Sequence, residues 1–544
     1  MTEPIAHTLR GAWTADTHPL GSKVLRRLRA RTGLRDVRTP AVPEAELVVA
    51  DSALPAAASA ALAGVVGAEH VLVDREARLG RAGGLSYLDL LRYRTGAGLV
   101  VPDAVVLPGD PAEVDSVVRA CARLGVGVVP FGGGTSVVGG VAPLRGDKTA
   151  VVAVDLVRLN RLVMVDPVSR LAVLQAGMRG PDAERLLRER GFTLGHYPQS
   201  FERATIGGFA ATRSAGQASS GYGRFEDMVT GLRLATPRGE WRLGVAPASA
   251  AGPDLRSAVV GSEGAFGIVT EVTVRVRPAP KHRRYEAYVF DGWQRGVAAV
   301  RELAQGDALA TVTRLSDQDE TDVALMSAGG PAEAAVRGYL RARRVREPCL
   351  LVLGWETGSA AELRRTRSRT RRVLRAARPV ALGRRPGESW LKGRFGGPRQ
   401  RDALLDVGGC VETLETAGYW SALGALRDRV RAALREALPG AIAMCHISHA
   451  YETGASLYFT VLAARDENAI SQWHRAKDAA SRAIVAEPAG TITHHHGVGV
   501  DHKPYLEAEI GDLGADVLAA IKQTVDPTGI MNPGKLIPAD GDAE

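Results

Sequence analysis

Cysteine, aromatic residues and long apolar runs are all scarce in this sequence. Its 544 residues include four cysteines, which lie far apart and form no CxxC pair. Neither a zinc ribbon nor a disulfide framework is therefore expected, and a reducing, cytoplasmic compartment fits best. Aromatic residues make up 5% of the chain, too few for a base-stacking surface, so no nucleic-acid partner is expected. No stretch approaches the roughly 20 apolar residues that cross a membrane.

Arginine contributes much of the formal net charge of +9. The densest basic stretches are 341–347 and 361–378, and the second has the spacing of a helix. A solvated helix face is the more usual explanation, and attraction to anionic lipids or acidic substrates is the alternative. The segment 19–34 also places apolar residues on one helical stripe among arginines. We expect it to dock on its own domain, although such a helix can also give peripheral contact with a membrane.

Short valine-rich runs, glycine clusters and helical stretches alternate between residues 97 and 280. The stretches 111–125 and 179–191 end on glycine as helices do, and strand, helix and strand in this order predict an α+β domain. The prolines 278 and 280 suggest a linker at its end. The chain therefore divides into an N-terminal helical region (1–95), a first α+β domain (96–280), a second α+β domain (281–480) and a C-terminal segment with a histidine cluster and a helix (481–544).

The run VGVVPFGGGTSVVGG (126–140) leads from a predicted strand into consecutive glycines. Gly132, Gly133 and Gly134 permit positive φ angles and a close approach of the backbone to a ligand. Their N–H groups can converge on an anion such as a pyrophosphate. The run lacks the Gly-Lys-Ser/Thr of a Walker loop, and Val137 breaks the spacing of the Rossmann fingerprint. Taken alone, it fits a tight structural turn and a pyrophosphate site about equally well.

Three further segments relate this loop to a known superfamily. Together with PFGGGTS (130–136), the segments 198–229, 261–276 and 526–536 resemble, in the same order, the flavin-contacting motifs and closing element of the vanillyl-alcohol-oxidase (p-cresol methylhydroxylase) superfamily. The resemblance implies an α+β fold with a two-lobed FAD-binding domain of the p-cresol methylhydroxylase type, an α+β substrate (cap) domain and a C-terminal helical segment. It also implies FAD as cofactor, bound non-covalently, because the loop has no histidine where relatives attach the flavin.

The resemblance also implies which residues bind FAD. The first motif would hold the pyrophosphate, the second the flavin ring and ribityl chain, and the third the adenosine half or the ring edge. Small side chains dominate these motifs, as expected where a planar cofactor lies against backbone. The implied contacts are Pro130, Phe131, Gly132, Gly133, Gly134, Thr135, Ser136, Pro198, Gln199, Ser200, Phe201, Glu202, Arg203, Ala204, Thr205, Gly207, Gly208, Thr212, Arg213, Ser214, Ala215, Ser262, Glu263, Gly264, Ala265, Phe266, Gly267 and Ile268.

Three consecutive histidines stand in the segment GTITHHHGVGVDHKPYLEAEIG (490–511). A shared metal ion is unfavourable, because adjacent residues of an extended chain point to opposite faces and no cysteine lies at a suitable spacing. Histidine can transfer protons near neutral pH. A catalytic or phosphate-binding role, without a metal, is therefore the more economical hypothesis.

HHHGVG resembles the active-site motif of the alkyldihydroxyacetonephosphate synthase family, a branch of the same superfamily. The segments 311–319, 401–420 and 446–463 are similar to further parts of that family. The sequence departs from the family pattern at His446 and His449, where other polar residues are expected, and at GYW after ETLET. The resemblance implies a substrate-phosphate contact at Arg401 and catalytic roles for Arg314, Tyr458, His494, His495 and His496.

The synthase resemblance implies exchange of the acyl group of an acyl-dihydroxyacetone phosphate for a fatty alcohol, a step of ether-lipid synthesis. Tyr458 would act as acid and base with His495 as its partner, and the flavin would not pass electrons outward. The partner would be a lipid-phosphate or other small-molecule substrate, and a homodimer is compatible with the sequence.

Two alternatives stay open. One is an FAD-linked dehydrogenase or oxidase of a 2-hydroxy acid such as D-lactate or glycolate. The other is a non-catalytic flavoprotein or membrane-associated scaffold that uses the arginine-rich helix.

Overall fold

The computed structural model describes residues 21–35 and 39–537, so parts of the predicted N-terminal region and the end of the C-terminal segment lie outside the described residues. Its strands are β1 Val71–Leu72, β2 Ala104–Val106, β3 Val126–Phe131, β4 Ala150–Asp155, β5 Leu162–Asp166, β6 Leu171–Gln175, β7 Phe192–Thr193, β8 Val229–Thr236, β9 Gly239–Leu243, β10 Ile268–Arg275, β11 Arg277–Pro278, β12 His282–Asp291, β13 Val312–Ser316, β14 Pro348–Thr357, β15 Val380–Gly383, β16 Gly409–Tyr419, β17 Ile442–Ile447 and β18 Gly454–Ala464.

The helices are α1 Ser22–Thr32, α2 Ala56–Val66, α3 Arg75–Leu79, α4 Tyr87–Thr95, α5 Pro111–Leu124, α6 Gly180–Arg188, α7 Ile206–Ala211, α8 Ser219–Tyr222, α9 Phe225–Met228, α10 Leu255–Val259, α11 Trp293–Gln305, α12 Gln318–Ala328, α13 Gly330–Ala342, α14 Ala360–Ala377, α15 Arg384–Gly393, α16 Gly397–Leu405, α17 Leu423–Ala437, α18 Ala469–Val485 and α19 Leu506–Val525. Among the described residues, no helix combines the length and the apolar character that a membrane crossing requires.

Two sheets with a helix between them form the first domain. One has the order β1-β2-β4-β3 with a parallel β2-β4-β3 core, and the other is antiparallel with the order β5-β6-β10-β8-β9. Helix α5 contacts strands of both sheets. Asp110 caps its start by accepting hydrogen bonds from the N–H groups of Ala112 and Glu113, and Gly125 ends it in the left-handed conformation. The predicted helix over 111–125 is confirmed.

The second domain is built on one antiparallel sheet with the order β15-β12-β14-β13-β17-β18-β16. Side chains alternate between the two faces of its strands. On β18, Leu457, Phe459 and Val461 pack in the core that the sheet shares with its helices. Tyr458 and Thr460 point to the other face and line a cavity. The sheet therefore has one face that packs in this core and one face that lines the cavity.

Segments near both ends of the described chain contact a domain other than the one next to them in sequence. Strand β1 belongs to the first domain's parallel sheet, whereas α4 contacts β16 and α18 of the second domain. Near the other end, residues 530–532 lie along β3, where the Val128 N–H donates to the Ile530 carbonyl and the Asn532 N–H donates to the Val128 carbonyl, both at 2.8 Å. The described part of the predicted N-terminal region is thus shared between the two domains.

Candidate active site

A cavity of about 1290 Å³ lies between the two domains. We call its part along the first domain the cofactor arm; it is lined by the glycine loop and the segments around residues 200, 210 and 265. We call the part that contains Arg314, Arg401, His446, Tyr458, His495 and His496 the polar chamber. We call the part with aliphatic and methionine side chains the apolar arm; these are Val24, Leu28, Val289, Val323, Met326, Val336, Leu340, Leu350, Leu382, Leu404, Met444 and Leu462.

The glycine loop has the close packing that a cofactor cradle needs. A Cβ atom at Gly132 would overlap the Thr205 hydroxyl, and one at Gly133 would overlap the Arg203 carbonyl. Gly134 has a φ of +62°, and a Cβ there would lie 2.6 Å from the Phe131 ring. Only glycine therefore allows the loop to follow the segment 203–205, which leaves its backbone facing the cofactor arm. These residues fit a dinucleotide such as FAD.

Most of the FAD contacts implied by the sequence line the cofactor arm, but seven do not. Phe201 stacks on Phe395, and Arg213 donates to the carbonyls of Val260 and Ser257 instead. Ala265 and Phe266 are buried in a core with Val498. The residues that do not line the cavity are Phe201, Glu202, Arg203, Arg213, Ser262, Ala265 and Phe266. Those that line it without having been implied are Val137, Gly140, Val141, Leu156, Phe209, Ala211, Gln217 and Val269.

The register of the second sheet brings the polar chamber together. Tyr458 on β18 lies opposite Glu415 on β16 and opposite His446 on β17. The Tyr458 ring stacks between His446, at 4.8 Å between ring centroids, and His495, at 5.9 Å. The His496 ring meets it edge-on at 5.5 Å. The sheet and the histidine segment therefore place the predicted tyrosine and two of the three predicted histidines around one space.

Glu415, which the sequence analysis missed, holds the histidine segment in place. Its carboxylate accepts hydrogen bonds from the backbone N–H groups of His494 (2.6 Å), His495 (3.0 Å) and His496 (2.9 Å) and from the Thr493 hydroxyl (2.8 Å). Burial acts to raise the pKa of Glu415, but the facing imidazoles and the His495 N–H hold it well below its ordinary value. Atoms of Glu415, His494 and His495 lie within 4.8 Å of one another, yet this carboxylate is occupied by four hydrogen bonds. Glu415 is therefore arranged to position the histidine segment.

A second buried carboxylate holds the end of the same segment. Glu263 accepts hydrogen bonds from the N–H groups of Val498 and Gly499, the latter at 2.6 Å. Burial raises its pKa to about 7, against the effect of these two N–H groups. Gly497, between the two anchors, has a φ of +89°, and a Cβ atom there would overlap the Glu263 carboxylate. The segment 493–499 is therefore fixed to both domains.

The two predicted arginines line the polar chamber but have protein partners. Arg314 pairs with Glu320 and donates to Nε2 of His446 at 2.9 Å, while Nδ1 of His446 donates to the Glu320 carboxylate at 3.0 Å. Burial acts to raise the pKa of Glu320, but His446 and Arg314 lower it to about 2. Arg401 donates to the Leu85 carbonyl at 2.6 Å, while its Nε is buried without a hydrogen-bond partner among the described residues. Arg401 also lies 3.5 Å from the buried carboxylate of Glu412, so both arginines are paired with a carboxylate.

The protonation states in the chamber follow from burial. Burial raises the pKa of Tyr458 to about 12 and lowers the pKa of His495 to about 3. Near neutral pH the phenol keeps its proton and the imidazole keeps a free lone pair. The structure contains no hydrogen bond between these two side chains, so His495 does not lower the cost of forming a phenolate by direct contact. A neutral base and a neutral acid face the same space.

Comparisons with known proteins agree with this architecture. The family described as "FAD binding domain" matches residues 102–243, and that described as "FAD linked oxidases, C-terminal domain" matches residues 279–536. A solved structure of p-cresol methylhydroxylase with substrate bound covers 88% of this chain and 96% of its own, with a TM-score of 0.67 at 14% identity. The predicted fold and the FAD cofactor are confirmed.

Similarity is higher to one branch of this superfamily. Alkyldihydroxyacetonephosphate synthase of Dictyostelium discoideum is 33% identical over 480 residues, which are 86% of this chain and 78% of the relative. A solved alkyldihydroxyacetonephosphate synthase superposes with a TM-score of 0.82 at 28% identity, over 94% of this chain and 92% of that one. The chain belongs to the alkyldihydroxyacetonephosphate synthase family of FAD-dependent enzymes.

Proposed function

We propose that the protein exchanges the acyl group of an acyl-dihydroxyacetone phosphate for a fatty alcohol. The observation that carries the proposal is the continuity of the cavity. A cofactor arm, a chamber with an arginine and proton-transferring groups, and an apolar arm open into one another. FAD needs the first of these environments, and a substrate with a phosphate, a reactive ketone and a long alkyl chain needs the other two.

The side chains of the polar chamber have separate roles in the proposed reaction. Arg401 binds the substrate phosphate, because its guanidinium lines the chamber and its planar set of N–H donors matches phosphate oxygens. His495, neutral, removes the proton from the carbon beside the ketone and later returns a proton to it. Tyr458 donates its proton to the carboxylate that departs as its C–O bond breaks, and takes the proton of the alcohol hydroxyl as the new C–O bond forms. His496 lines the chamber beside both, and Arg314 is held by Glu320 and His446 as a fixed positive charge. FAD, when bound, supplies a ring that takes up and returns electron density, so that no net oxidation occurs.

The apolar arm supports a long-chain substrate. Its walls come from α1, α12, α13 and the second sheet. Most of the lining side chains there are aliphatic or methionine, with Thr321, Ser327 and Glu333 among them. Each methylene group buried there contributes about 0.8 kcal/mol. A 2-hydroxy acid such as D-lactate would leave this space unused, so the structure favours the synthase over that alternative. A non-catalytic flavoprotein or membrane-associated scaffold would not need the histidines, tyrosine and arginines that line the polar chamber.

We further propose that FAD is held non-covalently and that the enzyme reaches its lipid substrate at a membrane surface. The apolar arm closes beneath α1, whose Lys23 and Arg26 are exposed. Anionic vesicles should co-sediment the protein more strongly than neutral ones, and acid precipitation should release all of the yellow colour. A homodimer and a cytoplasmic location stay predictions.

The deciding experiment incubates the purified yellow protein with palmitoyl-dihydroxyacetone phosphate and hexadecanol. Formation of the hexadecyl ether, with one palmitate released per ether and no electron acceptor consumed, is expected. Absence of the ether, together with bleaching of the flavin by a 2-hydroxy acid, would contradict the proposal and support the oxidoreductase.

A further inference from the structure

A line of three hydrogen-bonded side chains leads away from the polar chamber. His495 lines the chamber, and its Nδ1 lies 3.0 Å from Nδ1 of His494, which does not line it. Nε2 of His494 lies 2.6 Å from the hydroxyl of Tyr451. Tyr451 is partly exposed and stands on the turn between β17 and β18, next to the exposed Glu452 and Thr453. The line therefore runs from the reacting space to a partly exposed residue beside an exposed turn.

The protonation states suit proton transfer along this line. Burial holds the pKa of His494 well below its ordinary value and lowers the pKa of His495 to about 3, so both rings are neutral. Burial raises the pKa of Tyr451, so its phenol is protonated. Two neutral imidazoles that meet through Nδ1 atoms share one proton between them. A consistent order has His495 donating to His494 and His494 donating to Tyr451, which leaves Nε2 of His495 free to accept a proton.

The neighbouring groups hold the line in place. The nearest carboxylate oxygen, Oε2 of Glu415, lies 3.6 Å from Nδ1 of His495, beyond hydrogen-bond distance. His449 lies 5.0 Å from His494 between ring centroids, but its Nε2 lies 2.9 Å from the Gly216 carbonyl and its Nδ1 is close to the hydroxyls of Ser448 and Ser456. Arg224 donates to the His494 carbonyl at 2.8 Å, and Glu415 binds the His494 N–H. The ring nitrogens of His494 are thus left to Tyr451 and His495.

We propose that His494 and Tyr451 form a proton relay between His495 and solvent. The inference rests on the proposed function for the source of the proton. When Nε2 of His495 takes a proton from the substrate carbon, the C–H bond breaks and its electron pair stays with the substrate. The Nδ1 proton of His495 moves to His494, the Nε2 proton of His494 moves to the Tyr451 oxygen, and the Tyr451 hydroxyl proton passes to water. The reverse sequence returns a solvent proton to the product.

The relay predicts isotope exchange that depends on Tyr451. In heavy water, the wild-type ether product should carry deuterium at the carbon beside the ketone. In Tyr451→Phe, the removed proton stays on His495 and returns to the same carbon, so deuterium per molecule of product should fall about tenfold. A purely structural role of Tyr451 would lower turnover but leave deuterium per product unchanged. Tyr451→His, which restores a proton-carrying ring, should recover part of the exchange.

Tyr288→Phe is the matched control, because it also removes a buried tyrosine hydroxyl. That hydroxyl donates to Glu286 at 2.8 Å, and neither residue lines the cavity. Flavin absorbance checks that each variant is folded. Equal deuterium per product in wild type and Tyr451→Phe, or no deuterium in the wild-type product, would overturn the relay. If the wild type forms no ether, the proposed function fails. In that case the relay is tested with the acyl substrate alone, without alcohol, by measuring deuterium that enters from heavy water at the carbon beside the ketone. The relay is overturned if no deuterium enters, or if wild type and Tyr451→Phe incorporate equal amounts.

Discussion

At the scale of single residues, the three consecutive histidines have three different surroundings. Glu415 binds all three backbone N–H groups, so the rings leave one fixed main chain in different directions. His494 lies behind the chamber on Tyr451, His495 stacks on Tyr458, and Nδ1 of His496 is buried without a hydrogen-bond partner among the described residues. In the proposed mechanism, the same residue type therefore serves as a relay, as a base and as a group that faces the substrate.

Tyr458→Phe tests the role of the phenol as the chamber's acid. The change keeps the ring between His446 and His495 but removes the only proton that Tyr458 can donate. We expect kcat to fall by roughly 10²–10³-fold, while FAD content and thermal stability stay close to wild type. Tyr419→Phe is the control, since it removes a hydroxyl from a tyrosine that is 70% exposed. An unchanged kcat in Tyr458→Phe would remove Tyr458 from the mechanism.

Glu320→Gln tests the charged group behind Arg314 and His446. The pKa of Glu320 is about 2 in the folded protein, below its ordinary value of 4.5, so its carboxylate stabilises the fold above pH 4.5 and loses that effect as the pH falls towards 2. The variant should be less stable than wild type at pH 6, by about 3 kcal/mol at most, and the difference should shrink by pH 3.5. Urea unfolding at both pH values measures it. A difference that is constant or larger at pH 3.5 would contradict the assignment.

At the scale of elements, the segment 493–499 acts as a clamp between the domains. One anchor, Glu415, stands on β16 of the second domain, and the other, Glu263, stands just before β10 of the first. Both anchors bind backbone N–H groups, so the geometry depends on the path of the chain more than on side-chain identity. The relative position of FAD and the histidines is set by this clamp.

Gly497→Ala tests the clamp. The methyl group would meet the Glu263 carboxylate at a backbone φ of +89°, so the segment must shift and activity should fall at least roughly tenfold, because small misplacement of catalytic groups is costly. Gly511→Ala is matched to it, with a φ of +70° but no atom within 4 Å of the added carbon. Steady-state assays and thermal melts compare the two. Equal effects would mean that left-handed strain, and not the clamp, explains the loss.

Elements with strong local signals were predictable from the sequence, and long-range anchors were not. The helices over 111–125 and 361–378 and the strand that carries Tyr458 follow from periodicity, caps and motif, and the structure confirms them. The role of Glu415 depends on a segment about 80 residues away reaching β16. The ion pair between Arg27 and Glu333 that ties α1 to α13 joins residues 306 apart. Pairings of this kind carry no local pattern.

At the scale of the whole molecule, the catalytic space exists only because the two domains, helix α1 and the segment 493–499 meet. The first domain supplies the cofactor arm, the second sheet supplies the chamber, and α1 with α12 and α13 closes the apolar arm. Arg27–Glu333 and Arg31–Asp319 ion pairs, at 2.6 and 3.0 Å, hold α1 in that position. We therefore expect the length of the alkyl chain that the enzyme accepts to depend on elements far from the polar chamber.

Met326→Trp tests this separation of chemistry from chain recognition. Met326 lines the apolar arm on α12 and is 6% exposed, so an indole there shortens the arm without touching the chamber. For alcohols long enough to reach it, kcat/KM should fall about fourfold for each methylene group that is excluded, while short alcohols keep wild-type values. Leu513→Trp, at a position that is 76% exposed on α19, is the control. A uniform loss across butanol to hexadecanol would instead place Met326 in the support of the chamber and leave the apolar arm without its assigned role.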